Sequence, residues 1–91
     1  MFEQTIHVTT PTGLHARPAG QVMELASAAP FDVEIGRLGE EPVDAESILS
    51  IMGLGVVQGE TVTVRCQTDA DNPLAVQLLQ DLSAVLTSTE S

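Results

Sequence analysis

Lysine, tryptophan and tyrosine are all missing from this 91-residue chain, and only three arginines (Arg17, Arg37, Arg65) face thirteen aspartates and glutamates. The formal net charge is −10. Such a surface repels nucleic-acid phosphates and anionic lipid headgroups, so neither nucleic acid nor direct membrane binding is expected. Two readings of the acidity stay open: a partner with a basic docking face, or adaptation to a salt-rich cytoplasm that screens self-repulsion. The missing lysines favour salt adaptation. Phe2 and Phe31 are the only aromatic residues, so the core must be aliphatic. The single Cys66 cannot form an internal disulfide, which suits a reducing compartment. No run approaches the ~20 apolar residues that span a bilayer. Met1-Phe2-Glu3-Gln4 lacks the basic start and apolar run of a signal peptide, so a cytoplasmic protein is expected. With no linker or internal repeat, residues 1–91 are expected to form one small domain.

What is present follows an order. Phe2, Gln4, Ile6 and Val8 alternate with Glu3, Thr5 and His7, the pattern of a half-buried strand over 2–8. Thr10-Pro11-Thr12-Gly13 reads as a loop. From Ala16 to about Ala28 the period turns helical, with Pro18, Val22, Leu25, Ala26 and Ala29 on one stripe. Pro18 fits only a first helical turn, which fixes the helix start near His15, and Pro30 closes the segment. Val33 and Ile35 mark a second strand. Gly39-Glu40-Glu41 turns into a short strand around 42–45, where Pro42 predicts an edge. Ser47 is a plausible cap for a short helix ending near Gly53 or Gly55. Val62, Val64 and Cys66 share one face of a strand over 60–67. Asn72-Pro73 opens a last helix with Ala75, Leu78, Leu79, Leu82, Val85 and Leu86 on its apolar stripe, and Thr87–Ser91 is expected to fray. One-sided helices and half-polar strands predict a two-layer α+β sandwich with the helices on one face of the sheet.

The most informative stretch is Gly13-Leu14-His15-Ala16-Arg17-Pro18-Ala19. It sets an imidazole where a loop becomes a helix, with a guanidinium two residues on. Unsatisfied N–H groups and the positive end of the helix dipole favour an anion there, and arginine grips phosphate oxygens bidentately. An imidazole is largely neutral at pH 7 and is a competent nucleophile, whereas a serine would need a base.

This stretch resembles the active-site signature of the HPr family, histidine-containing phosphocarriers of the sugar phosphotransferase system. Ser47-Ile48-Leu49-Ser50-Ile51-Met52-Gly53-Leu54-Gly55 resembles that family's regulatory-serine region, at the usual separation. The resemblance spans nearly the whole chain. It implies an HPr-like open-faced sandwich: a four-stranded antiparallel sheet of order 1-4-2-3 with three helices on one face. It also implies that the Nδ1 atom of His15 carries the phosphoryl group, that Arg17 offsets its charge, and that the N–H groups of Ala16 and Arg17 face its oxygens. Phosphorylated Enzyme I is the implied donor. Enzyme IIA components of sugar uptake, fructose-type or fused into larger Enzyme II proteins, are the implied acceptors. The carrier is expected to be a monomer, not a freestanding enzyme, and to need no cofactor. The alternative is a regulatory binding module, of nitrogen-branch or catabolite-control type, that docks without relaying phosphate.

Ala16, Ala19, Gly20 and Met23 together with Ile48, Leu49 and Met52 form the expected docking patch around His15. Relatives often carry lysines there, and here Glu24, Ser27, Glu46 and Ser50 take those places, so ordinary bacterial partners should fit poorly. Ser47 has a structural reading as a helix cap, and the resemblance adds a second, regulatory reading: phosphorylation by a serine kinase, as at the matching serine in many Gram-positive members of the family. The remaining candidates read as structural. His7 lies on the polar strand face, and the two histidines lack metal-ligand spacing with each other or with Cys66, so no metal site is expected. Cys66 reads as a small buried hydrophobe, and Arg37 and Arg65 as members of surface pairs worth little.

Overall fold

A computed structural model describes residues 1–89. Its elements are β1 (Phe2–His7), α1 (Ala16–Ala28), β2 (Val33–Arg37), β3 (Val43–Asp44), α2 (Ile48–Gly53), β4 (Thr61–Cys66) and α3 (Pro73–Leu86). The four strands form one antiparallel sheet in the order β1-β4-β2-β3.

Alternation along the strands decides which face of the sheet is covered. Ile6, Val33, Ile35, Val62, Val64 and Cys66 point into a core that also takes Val22 and Ala26 of α1, Ile51 of α2 and Leu78, Leu82 and Leu86 of α3. Burying that aliphatic set is the main stabilising term, and truncating the fully buried Leu82 to alanine should cost about 2–5 kcal/mol. The opposite face stays open and polar, and Glu3 and Glu34 there bracket Arg65 from the neighbouring strands.

The helix boundaries follow local chemistry. Asn72 Oδ1 accepts the Leu74 N–H at 3.0 Å and Pro73 fills the first position, so α3 starts where its missing N–H costs nothing. Ser47 Oγ accepts the Ser50 N–H at 3.2 Å and caps α2. Pro30 forces Ala29 into extended geometry (φ −76°, ψ 143°), which ends α1.

Two edges differ from the pattern expected of the sequence. β3 shrinks to two residues: Pro42 offers no N–H at its start, and the Ala45 N–H, donating to the in-register Val33 carbonyl at 3.0 Å, makes the last ladder bond. The segment after α3 is tied down at its start: the Thr87 amide and hydroxyl both donate to the Ser83 carbonyl. Glu90 and Ser91, the end of the expected frayed tail, lie outside the described residues. No helix among the described residues is long and apolar enough to cross a membrane.

Candidate functional site

The loop between β1 and α1 is held from three sides before it reaches His15. The Thr9 and Thr10 amides both donate to the Leu86 carbonyl at the end of α3 (2.9 and 3.1 Å). Gln58 Nε2 donates to the Thr9 carbonyl at 2.9 Å, and the Leu14 amide donates to the Val56 carbonyl at 3.0 Å. Gly13 permits that last contact. Its φ is +63°, and a Cβ there would sit 2.3 Å from the Val56 oxygen, so both the backbone conformation and the close approach require glycine. Leu14 then anchors the loop with a fully buried side chain.

His15 follows directly, exposed, at the N-cap of α1. Its backbone is extended (φ −130°, ψ 168°), and its ring makes no capping hydrogen bond, so the imidazole is not spent on the helix end. The first helical N–H groups have no intrahelical acceptor, and no acidic residue occupies the first turn of α1. An anion at this point therefore meets backbone donors and the dipole's positive end without a competing carboxylate. Ala16 is the one non-glycine residue with positive φ (+50°) among those described. That conformation costs roughly 1–2 kcal/mol and marks the loop-to-helix junction as strained.

The three arginines divide sharply. Arg17 is exposed and has no ion-pair partner among the described residues. Arg65 is paired with Glu3 (2.7 Å) and Glu34 (3.7 Å) across the open face of the sheet. Arg37 grips Glu60 with two N–H groups (2.9 and 2.8 Å) and also donates to the Leu54 and Gly55 carbonyls just past α2. The surface pair expected for Arg37 is therefore part of a larger clamp. Its N–H groups, then the Val57 N–H, hold the Glu60 carboxyl well below the usual carboxylate range, at about 2. Nothing in the sequence signalled the clamp, since its carbonyl partners lie 17 and 18 residues from Arg37.

The apolar residues named from the sequence do not all reach the surface. Ala19 is fully buried and belongs to the core: on α1 it points at the sheet beside Val22, so its methyl group cannot serve an exposed patch. Ala16 is exposed, while Gly20, Met23, Ile48 and Met52 are half-buried. Leu49 is 77% exposed on its short helix. A Cβ on Gly20 would lie 4.0 Å from Ile48 Cδ1, ordinary van der Waals contact, so α1 and α2 are neighbours here without the approach requiring glycine. Val57, which was not singled out from the sequence, is a further exposed apolar side chain (53%), and its backbone lies close against Gly13 in the loop before His15. Ser47 is half-buried, with its hydroxyl oxygen engaged as the cap of α2. His7 Nδ1 meets Thr61 Oγ1 at 3.2 Å on the open face. Cys66 is buried, and burial pushes its thiol up from the usual range. Among the described residues, no three His, Cys, Asp or Glu side chains gather as a metal site.

The sequence model of the family described as "PTS HPr component phosphorylation site" matches residues 2–87. The chain belongs to the HPr family. It is 40% identical over 82 residues to the phosphocarrier protein HPr of Haloferax volcanii, covering 89% of this chain and 91% of that one. It is 31% identical over 86 residues to the phosphocarrier protein HPr of Vibrio cholerae, covering 94% and 95%. The crystal structure of an HPr from Thermoanaerobacter tengcongensis superposes with a TM-score of 0.81 at 32% identity, over 97% of this chain and 98% of that one. Family membership makes the chain a phosphocarrier of the phosphotransferase system, with partners of the Enzyme I and Enzyme IIA type.

Proposed function

We propose that His15 is the phosphoryl acceptor of this carrier. Its Nδ1 lone pair attacks the phosphorus of phosphorylated Enzyme I; a new phosphorus–nitrogen bond forms as the donor's breaks, and the phosphoryl group then passes to an Enzyme IIA component of sugar uptake, fructose-type or fused. The observation that carries this reading is an exposed imidazole without a capping role, at an acid-free helix start, beside an arginine with no other charge to answer. Transfer of this kind passes through a loose, metaphosphate-like phosphorus, so alignment and electrostatics do most of the work. The Ala16 and Arg17 amides meet the oxygens, and the Arg17 guanidinium offsets their charge.

A surface this open cannot exclude water alone, so the partner must close over His15. Leu49, Met52, Ile48, Met23, Gly20 and Ala16 supply the apolar contact, and Glu24 and Glu46 give it an acidic rim that suits a basic partner face. In this reading the chain works as a cytoplasmic monomer formed by the one domain 1–91, without cofactor. Ser47 serves first as a helix cap. A serine kinase acting there would place a phosphate beside the docking face and weaken partner binding.

Incubation with phosphoenolpyruvate and the Enzyme I of the same organism tests the proposal. Intact mass should rise by one acid-labile phosphoryl group, and His15→Ala should show none. An unchanged mass with an active cognate Enzyme I would instead favour a docking module that regulates without relaying phosphate.

A further inference from the structure

We propose that Arg37 and Glu60 are positioning residues for phosphoryl transfer, because they clamp the segment after α2 whose Val56 carbonyl sets the loop carrying His15. The inference rests on His15 being the acceptor.

The chain of contacts is short and continuous. The Arg37 guanidinium donates Nη1–H to the carbonyl of Leu54, the C-cap of α2, and Nη2–H to the carbonyl of Gly55 just beyond it (2.9 Å). Its Nε–H and Nη2–H also hold the two Glu60 oxygens, at 2.9 and 2.8 Å. Glu60 Oε1 in turn accepts the Val57 N–H at 2.9 Å. One ion pair thus ties the backbone at 54, 55 and 57, and Val56 lies between these anchored residues. Its side chain is fully buried, and its carbonyl accepts the Leu14 N–H at 3.0 Å, one residue before His15.

Arg65 supplies an internal control. It is an ion-paired arginine too, holding Glu3 at 2.7 Å and Glu34 at 3.7 Å, but its partners lie on the neighbouring strands of the open face and it donates to no backbone carbonyl of the 54–57 segment. If a well-formed ion pair mattered only for stability, the two arginines would be equivalent. The clamp needs the planar five-donor fork of arginine, because a lysine ammonium cannot serve two carbonyls and both carboxylate oxygens together.

The test uses the full chain and four variants: Arg37→Gln, Arg37→Lys, Glu60→Gln and the control Arg65→Gln. Two quantities are read at a temperature where circular dichroism shows each variant folded: the rate of phosphoryl acceptance from phosphorylated Enzyme I, and hydrogen exchange at the Leu14 amide. Small misplacements of reacting groups are costly, so Arg37→Gln should accept phosphate at least about tenfold more slowly. Its Leu14 amide should exchange faster, while Arg65→Gln matches the parent on both measures. Arg37→Lys and Glu60→Gln should fall between. Parental rate and parental Leu14 protection in Arg37→Gln would overturn the proposal, as would equal losses in Arg65→Gln. Should Arg37→Gln fail to fold, Glu60→Gln, which keeps size and shape, decides by the same two readings. A parent that gains no phosphate on His15 sinks the carrier reading, whereas a phosphorylated parent with an indifferent Arg37→Gln sinks this inference alone.

Discussion

The regions around Arg17 and Arg37 use the same side chain in opposite ways. Arg37 is matched within the fold: four of its five N–H donors go to one carboxylate and two backbone carbonyls. Arg17 has no charged partner among the described residues, and the helix turn it stands on carries no acid. In a chain with thirteen acidic residues and three cations, leaving one cation unpaired is costly in opportunity, since carboxylates are everywhere. The difference teaches a division of labour. A cation that holds structure is matched within the fold, and a cation that awaits an anionic ligand is kept clear of internal matches.

Removing Arg17 should give the largest contrast. Arg17→Ala loses charge-assisted hydrogen bonds to the transferring group, so phosphoryl acceptance should drop by about 10- to 100-fold with the melting temperature unchanged. A melting-temperature loss as large as that of Arg37→Gln would erase the division, and rapid-quench kinetics beside a thermal melt decide it.

Acid sharpens the Arg37 side. The Glu60 carboxyl titrates at about 2 in the folded chain against 4.5 in an unconstrained one, chiefly through the Arg37 hydrogen bonds and then the Val57 amide. The folded state therefore binds that proton less readily than the unfolded state. Its contribution to stability is full above about pH 4.5 and fades as pH falls toward about 2. Denaturant melts across this window should show the parent losing stability faster than Glu60→Gln. Parallel pH profiles would mean that the ion pair contributes nothing.

The smallest effect concerns Ser47, which is distant from both arginines in role. Ser47→Ala removes the cap on the Ser50 amide and should cost about 1 kcal/mol in urea melts, with acceptance on His15 nearly unchanged. A large kinetic loss would place Ser47 in the transfer machinery rather than at a helix end.

Much of this was legible in the residues. Pro18 and Asn72-Pro73 state their helix starts because a missing N–H is tolerated only there, and the alternation of Val62, Val64 and Cys66 states the buried face of β4. Pro42 correctly marked the sheet edge. The strand order came from family resemblance, since local patterns do not encode which strands pair. Ala19 belongs to the core rather than to the docking patch, and helical period already says so, since it stands three and seven residues before the buried Val22 and Ala26; nearness in sequence to His15 is a poor guide to which face of α1 a residue occupies. The clamp on residues 54–57 was invisible because its contacts span 17 to 23 residues and recruit backbone carbonyls, which carry no sequence signature.

Whether this chain relays phosphate through His15 depends on which atom the phosphoryl group occupies. Phosphorus–nitrogen coupling in the NMR spectrum of the chain, labelled on histidine and phosphorylated by its own Enzyme I, reads that directly. Coupling to Nδ1 of His15, with His7 unaltered, is the predicted result. A phosphoryl group on His7 or on an oxygen such as Ser47 Oγ would contradict it.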